Sequence, residues 1–124
     1  MPLFLYLKGE KEMWNTPTEK DLAQIPGLYE TENIPLKDKL IHLRFFIGDS
    51  DWYVAEYDRE NDLFWGFAIL NGDYDCAEWG YVSFGEMKRI KAKPFGFEID
   101  CERGDGWTVR KACEIDKIRI AQGW

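Results

Sequence analysis

Apolar and polar residues alternate in four short segments along the middle of the chain. These segments cover residues 40–47, 52–57, 63–70 and 78–82. The stretches between them are rich in Gly, Asp, Asn and Ser, which favour tight turns. Short alternating segments at this spacing predict strands that follow one another as an antiparallel β-meander.

The alternation also predicts which side chains share a face, because successive side chains of a strand point to opposite sides of the sheet. One face of the first strand is expected to carry Ile41, Leu43, Phe45 and Ile47. One face of the second is expected to carry Tyr53, Ala55 and Tyr57. The meander holds more aromatic side chains than one layer accommodates, so some are expected on the second face.

Two helices are predicted from their start signals. Thr16, Pro17 and Glu19 form a capping box with proline at the first helical position, and the helix is expected to run to about residue 24. Ser83 and Glu86 form a second capping box, which opens a helix through about residue 90.

The two ends of the chain are expected to add further strands. Residues 2–7 read as a short strand, and residues 97–101 alternate in the same way. Residues 107–120 allow strands or a helix, and their β-branched residues favour strands. The prediction is one α+β domain over residues 1–124, with an antiparallel meander sheet of four or more strands and two short helices.

Composition supports a packed fold. At 124 residues and 14.6 kDa the chain suits one domain, and aromatic residues make up 16% of it. No apolar run approaches the roughly 20 residues that span a bilayer. The N-terminal apolar run is too short for a secretion signal, so a cytoplasmic protein without membrane association is expected.

Charge is unevenly distributed along the sequence. The net charge is −7, but residues 45–86 contain ten acidic side chains and a single basic one, Arg59. Such a segment creates a negative field on part of the surface. Direct binding to nucleic acid is not expected there, since contact with phosphates requires Lys and Arg.

The sequence predicts no catalytic residue, metal site or cofactor. His42 is the single histidine, and no serine or cysteine lies in a nucleophile motif. The cysteines Cys76, Cys101 and Cys113 are odd in number and widely spaced, which indicates free and mostly buried thiols. The acidic turns at 58–62 and 73–78 lack the calcium-loop pattern and are interpreted as solvated turns.

Several short runs resemble a family of small bacterial and phage domains of unknown function. Such domains are carried on mobile elements, often near antirestriction genes, and some relatives are linked to inhibition of Cas nucleases. The resemblance covers about residues 28–97. The runs that carry it are Leu28-Tyr29-Glu30-Thr31-Glu32, Phe45-Phe46, Asp49-Ser50, Trp52-Tyr53-Val54, Glu56-Tyr57-Asp58, Phe64-Trp65-Gly66 and Gly80-Tyr81-Val82-Ser83 with Glu86.

The chain departs from the family pattern in four places. Gly48 stands where the family has proline, and Trp52 stands alone where the family has Trp-Thr-Trp. Residues 70–78 form a longer insertion, and the tail after Cys101 does not match. The family supplies no catalytic residues to carry over, so the resemblance implies genetic context and a class of activity.

Together these features predict a small acidic protein that binds and inhibits a host-defence nuclease, of the anti-CRISPR type. The expected partner is a protein whose basic surface binds nucleic acid, and a Cas nuclease is one candidate. The residues expected to bind it are Asp49, Asp51, Asp58, Glu60, Asp62, Asp73, Asp75 and Glu78, with Trp52 or Trp79 as an apolar anchor.

Three alternatives stay open at this level. The protein could serve as a non-enzymatic accessory protein of a plasmid or phage, with another partner. It could be a small enzyme or metal-dependent domain that uses the acidic turns. The acidity could also serve solubility alone.

Overall fold

The computed structural model describes residues 15–89, 91–92 and 97–124. Its α-helices are α1 (Glu19–Ala23), α2 (Phe84–Met87) and α3 (Asp116–Gln122), and 3-10 turns cover Leu36–Asp38, Gly104–Gly106 and Ala112–Glu114. Its strands are β1 (Leu40–Ile41), β2 (Leu43–Ile47), β3 (Ser50–Asp58), β4 (Leu63–Ile69), β5 (Glu78–Ser83), β6 (Lys91–Ala92), β7 (Phe97–Glu98), β8 (Asp100–Glu102) and β9 (Arg110–Lys111). The strand predicted over residues 2–7 lies outside the described residues. No helix in the described ranges has the length and apolar character to cross a membrane.

The main sheet has the order β5-β4-β3-β2-β8, and every neighbouring pair is antiparallel. Strands β2 to β5 form the predicted meander, which confirms the α+β fold. Strand β8 returns from the C-terminal part of the chain and adds to the outer side of β2. Two-stranded ladders pair β1 with β9 and β6 with β7.

Both faces of the sheet are buried. One face, called here the α1–α2 face, packs against Leu22 of α1 and Phe84 and Met87 of α2. Its sheet residues are Leu43, Phe45, Val54, Tyr57, Phe64 and Cys101. The other face, called the α3 face, carries Ile41, Tyr53, Ala55, Phe67 and Ile69, packed with Ala112, Ile115 and Ile118. Aromatic side chains therefore lie on both faces, as predicted.

The structure corrects two facing predictions. The first predicted strand is interrupted at His42, so Ile41 packs on the α3 face while Leu43 packs on the α1–α2 face. A β-bulge between Val54 and Glu56 shifts the register in β3. A bulge adds one residue to one strand and reverses the alternation beyond it. Tyr57 therefore joins the α1–α2 face, opposite to Tyr53.

Most of the tail is helical, and the preference for strands over residues 107–120 is confirmed only at β9 and wrong for the residues that follow it. Ile118 lies in α3 and Ile115 is its N-cap residue, and both side chains are buried against the α3 face. Gly123 ends α3 with a φ of 73°, a left-handed conformation that suits glycine. Packing of Ile115 and Ile118 outweighs the β preference of single isoleucines.

The first helix starts two residues later than predicted. Thr18 is the N-cap, and its hydroxyl accepts a hydrogen bond from the Asp21 amide at 3.2 Å. The Asp21 carboxylate accepts a hydrogen bond from the Thr18 amide at 2.8 Å, which completes the capping box. At α2 the predicted N-cap is confirmed, since the Ser83 hydroxyl accepts from the Glu86 amide, but the helix ends at Met87 and not near residue 90.

Candidate partner-binding site

Four of the predicted carboxylates meet at one end of the sheet. The turn between β2 and β3 contacts the loop between β4 and β5, where the Gly72 amide donates to the Asp49 carbonyl at 2.8 Å. All four side chains are exposed there, and none forms an ion pair with a described Lys or Arg. This group, called the acidic end, consists of Asp49, Asp73, Asp75 and Glu78.

Three other predicted carboxylates lie at the opposite end, in the turn between β3 and β4. Strand β4 has seven residues, which separates the two groups by roughly 20 Å. Asp58 accepts hydrogen bonds from the Glu60 amide and from the Asn61 side chain, and these bonds lower the pKa of Asp58, the Asn61 side chain contributing most. Asp62 accepts a bond from the Tyr57 hydroxyl at 2.7 Å. Asp58 and Asp62 therefore hold this turn together, while the Glu60 side chain is exposed.

Asp51 does not belong to an exposed surface, contrary to its predicted role. It is 1% exposed and bonds to Nε of Arg44 at 2.7 Å and to Nζ of Lys117 at 3.0 Å. Arg44 also bonds to Glu102 of β8 at 2.7 Å. Asp51 therefore links β2, β3 and α3. Its position beside a turn predicted exposure, and no local signal in the sequence indicates burial.

An apolar groove of about 220 Å³ opens beside the acidic end, on the α1–α2 face of β3, β4 and β5. Trp52, Ala68, Leu70 and Val82 line it, together with Glu78 at its rim. Gly66 and Gly80 are paired across β4 and β5, and a Cβ atom at Gly80 would meet nothing within 4 Å. The missing side chain at Gly80 leaves this space open, and Trp52 forms part of its lining.

Trp79 has a packing role on the α3 face. Its ring stacks on Trp65 with centroids 5.2 Å apart and meets the edge of Phe67 at 5.3 Å. Its indole N–H donates to Gln122 of α3 at 3.0 Å. Of the two tryptophans predicted as anchors, Trp52 is the one that lines the groove.

A second pocket of about 290 Å³, called the tyrosine pocket, lies on the other side of β5. Its exposed walls are Tyr29 and Tyr81, whose hydroxyls are 3.4 Å apart. Trp65 and the buried Lys39 lie beneath them, with the Lys39 ammonium 5.4 Å from the Trp65 ring centroid.

Glu56 anchors the loop that forms this pocket. Its carboxylate is 5% exposed and accepts from the Tyr29 amide at 3.0 Å and from the amide and hydroxyl of Thr31. Tyr29 has a φ of 70°, which the loop imposes. Sequence reasoning missed this site, although a glutamate between Ala55 and Tyr57 in an otherwise buried strand is the signal that could have revealed it.

These contacts join the loop 28–32 to residues 56–58 of β3. The loop 28–32 supplies the donors, and the run 56–58 supplies the acceptor. The Tyr57 amide adds a bond to the Pro26 carbonyl at 2.8 Å. The loop is therefore fixed to this part of the sheet through both Glu56 and Tyr57.

The remaining titratable groups form no reactive constellation in the parts of the chain that the structure describes. No group of three metal-ligating side chains is found in those ranges. Burial lowers the pKa of His42. The three thiols are free, but Cys76 is exposed and Cys113 is half-buried, so Cys101 alone is buried as predicted.

Comparisons of the chain with protein-family models, with curated proteins and with solved structures give no match.

Proposed function

We propose that this chain is a non-enzymatic protein-binding domain that occupies a basic surface of another protein. The observation that carries the proposal is the position of Glu78, which lies on the rim of the apolar groove and also belongs to the acidic end. A partner side chain that enters the groove would bring its neighbouring Lys or Arg residues against these carboxylates.

The two parts of this surface contribute differently to binding. The groove excludes water from an apolar anchor, and such buried contacts supply most of the affinity of protein interfaces. The unpaired carboxylates select a basic partner and increase the rate of association. Salt screens their charge, so both effects weaken as ionic strength rises. Affinity for the partner is therefore expected to decrease with ionic strength.

The class of partner follows from the charge and from the family resemblance. Proteins that bind nucleic acid present a basic surface to the phosphates. An acidic domain bound to that surface excludes the nucleic acid. The resemblance to mobile-element domains favours a host-defence nuclease as that protein. The proposed activity is thus stoichiometric inhibition by occupation of the nuclease's nucleic-acid channel.

Charge reversal at the acidic end tests the proposal. The test variant carries Asp49→Lys, Asp75→Lys and Glu78→Lys, three exposed side chains without ion pairs or side-chain hydrogen bonds to other described residues. The control variant carries Glu60→Lys, Glu86→Lys and Asp105→Lys, exposed acids elsewhere that give the same change in net charge. Each immobilised protein is exposed to bacterial lysate, and captured proteins are identified by mass spectrometry.

The wild type and the control variant are expected to capture a basic nucleic-acid enzyme that the test variant loses. The captured enzyme should then lose its nuclease activity when the wild type is added in equimolar amount. Equal capture by both variants would show that the acidic end does not bind the partner. A partner whose binding is lost but whose nuclease activity is unaffected would argue against inhibition.

A further inference from the structure

Strand β5 is an edge of the sheet. It pairs with β4 on one side, and no strand of the described residues lies on its other side. The Phe84 amide donates to the Asp62 carbonyl at the end of the β4–β5 pair. This bond shows which residues of β5 direct their main-chain groups towards β4. Along an antiparallel pair, every second residue forms main-chain hydrogen bonds to the neighbouring strand. Counting back from Phe84, the residues of β5 that bond to β4 are Val82, Gly80 and Glu78. The main-chain N–H and C=O groups of Trp79 and Tyr81 therefore point outward.

Pockets flank this edge on both faces of the sheet. The apolar groove lies on one side of β5 and includes Gly80 and Val82. The tyrosine pocket lies on the other side and includes Tyr81, Tyr29 and Glu32. An added strand would run about 4.8 Å from β5 and would direct alternate side chains towards the two pockets.

We infer that an extended segment of the partner adds to β5 as a further strand of the sheet. This inference rests on the proposed function and specifies how the partner binds. Apolar residues of the segment would enter the groove, while basic residues would lie over the exposed tyrosines and near the Glu32 carboxylate. Main-chain hydrogen bonds to Trp79 and Tyr81 would supply affinity. The two pockets would favour a segment in which apolar and basic side chains alternate.

Charge favours a basic partner over a second copy of this chain. Two copies would each bring a net charge of −7. At the end of β5, Asp73, Asp75 and Glu78 are exposed without a basic counterpart among the described residues. A segment that carries arginine neutralises these groups, whereas a second acidic sheet adds to the repulsion.

The probe is the blocked heptapeptide Val-Arg-Val-Arg-Val-Arg-Val. Its controls are the same peptide with alternate residues N-methylated and a peptide with glutamate in place of arginine. Hydrogen exchange of the backbone amides is followed by NMR on ¹⁵N-labelled full-length protein. Binding of the arginine peptide is expected to slow exchange at Trp79 and Tyr81, and the two control peptides should not slow it.

Two variants of Tyr81 distinguish the contribution of its main-chain N–H from that of its side chain. Tyr81→Pro removes the outward N–H, in an edge strand where proline is tolerated. Tyr81→Ala removes the side chain and keeps the N–H. The proline variant is expected to bind the peptide about tenfold more weakly than the alanine variant. If Tyr81→Pro does not fold, the exchange measurement on the wild type decides alone.

Three results would overturn the strand addition: no binding of the peptide, binding without slower exchange at Trp79 and Tyr81, or slower exchange that depends on protein concentration without peptide. The last result would assign the edge to a second copy. Lysate capture by the acidic-end variant distinguishes the two proposals. Capture lost on charge reversal, together with Trp79 and Tyr81 amides that the peptide does not protect, would retain the proposed function and reject the strand.

Discussion

Two buried carboxylates have roles that their sequence positions do not reveal. Asp51 and Glu56 both lie in β3, and each is almost inaccessible to water. Burying a charge is costly unless it is paired or hydrogen-bonded. Asp51 meets this requirement through two cations, and Glu56 meets it through donors of the loop 28–32. Both acids were part of the negative segment, yet neither contributes to an exposed acidic surface.

Replacing Asp51 should destabilise the fold. Asp51→Asn keeps the shape of the side chain but leaves Arg44 and Lys117 without their shared counter-charge. Breaking a mostly buried ion pair in this way is expected to cost about 3 kcal/mol of unfolding free energy. Urea denaturation measures the difference, with Asp49→Asn at the exposed neighbouring turn as the control. Equal stability of the two variants would mean that these ion pairs contribute nothing to the fold.

The bulge in β3 determines on which face of the sheet the side chains after it lie. It reverses the alternation, so Tyr57 packs on the α1–α2 face and Glu56 comes to lie opposite Trp65. Without this extra residue, Glu56 would point away from the loop that it anchors. The bulge also brings the Tyr53 carbonyl close to Gly66, where a Cβ atom would lie 1.8 Å from that oxygen.

The two paired glycines should therefore differ in their tolerance of alanine. Gly66→Ala forces the Cβ atom against main-chain atoms of Tyr53 and should cost about 1–3 kcal/mol. Gly80→Ala introduces the same group into open space and should change stability by no more than about 0.5 kcal/mol. Thermal or urea unfolding of both variants tests the contrast. Similar losses would contradict the close approach at the bulge.

At the scale of the whole molecule, almost all charged side chains of the described residues lie at the surface, and the buried Lys39, Asp51 and Glu56 are each hydrogen-bonded. The Cys101 thiol is also buried. Burial raises the pKa of Cys101 from 9.0 to about 12. The folded state therefore holds this proton at pH values where the unfolded chain has lost it.

The sign of the resulting pH dependence is fixed by the direction of that shift. Stability due to the protonated thiol is fully present below pH 9 and is lost as pH rises towards 12. Cys101→Ala should reduce the slope of unfolding free energy against pH by about 1.4 kcal/mol per pH unit in that range. Urea denaturation between pH 8 and 11, in the presence of a reductant, measures both slopes. Parallel slopes for wild type and variant would contradict the prediction.

The local pattern of the sequence determined the fold class and most strands of the meander. Alternation and turn residues depend on neighbours a few positions apart, so the ends of β2 to β5 could be located within three residues. Where two local preferences competed, the prediction failed. Ile115, Ile118 and Ile120 favour strands individually, but Ile118 and Ile120 lie in α3, and Ile115 and Ile118 are buried where this helix covers the α3 face.

The tertiary structure alone decided which charges are available to a partner. Ten acids in one segment predicted a single negative surface, but an antiparallel meander sends successive turns to opposite ends of the sheet. It thereby divided that segment into an exposed acidic end, a turn held by Asp58 and Asp62, and the buried Asp51 and Glu56. Sequence specifies how many carboxylates are present, whereas their neighbours in space decide which of them meet water, a cation or an amide.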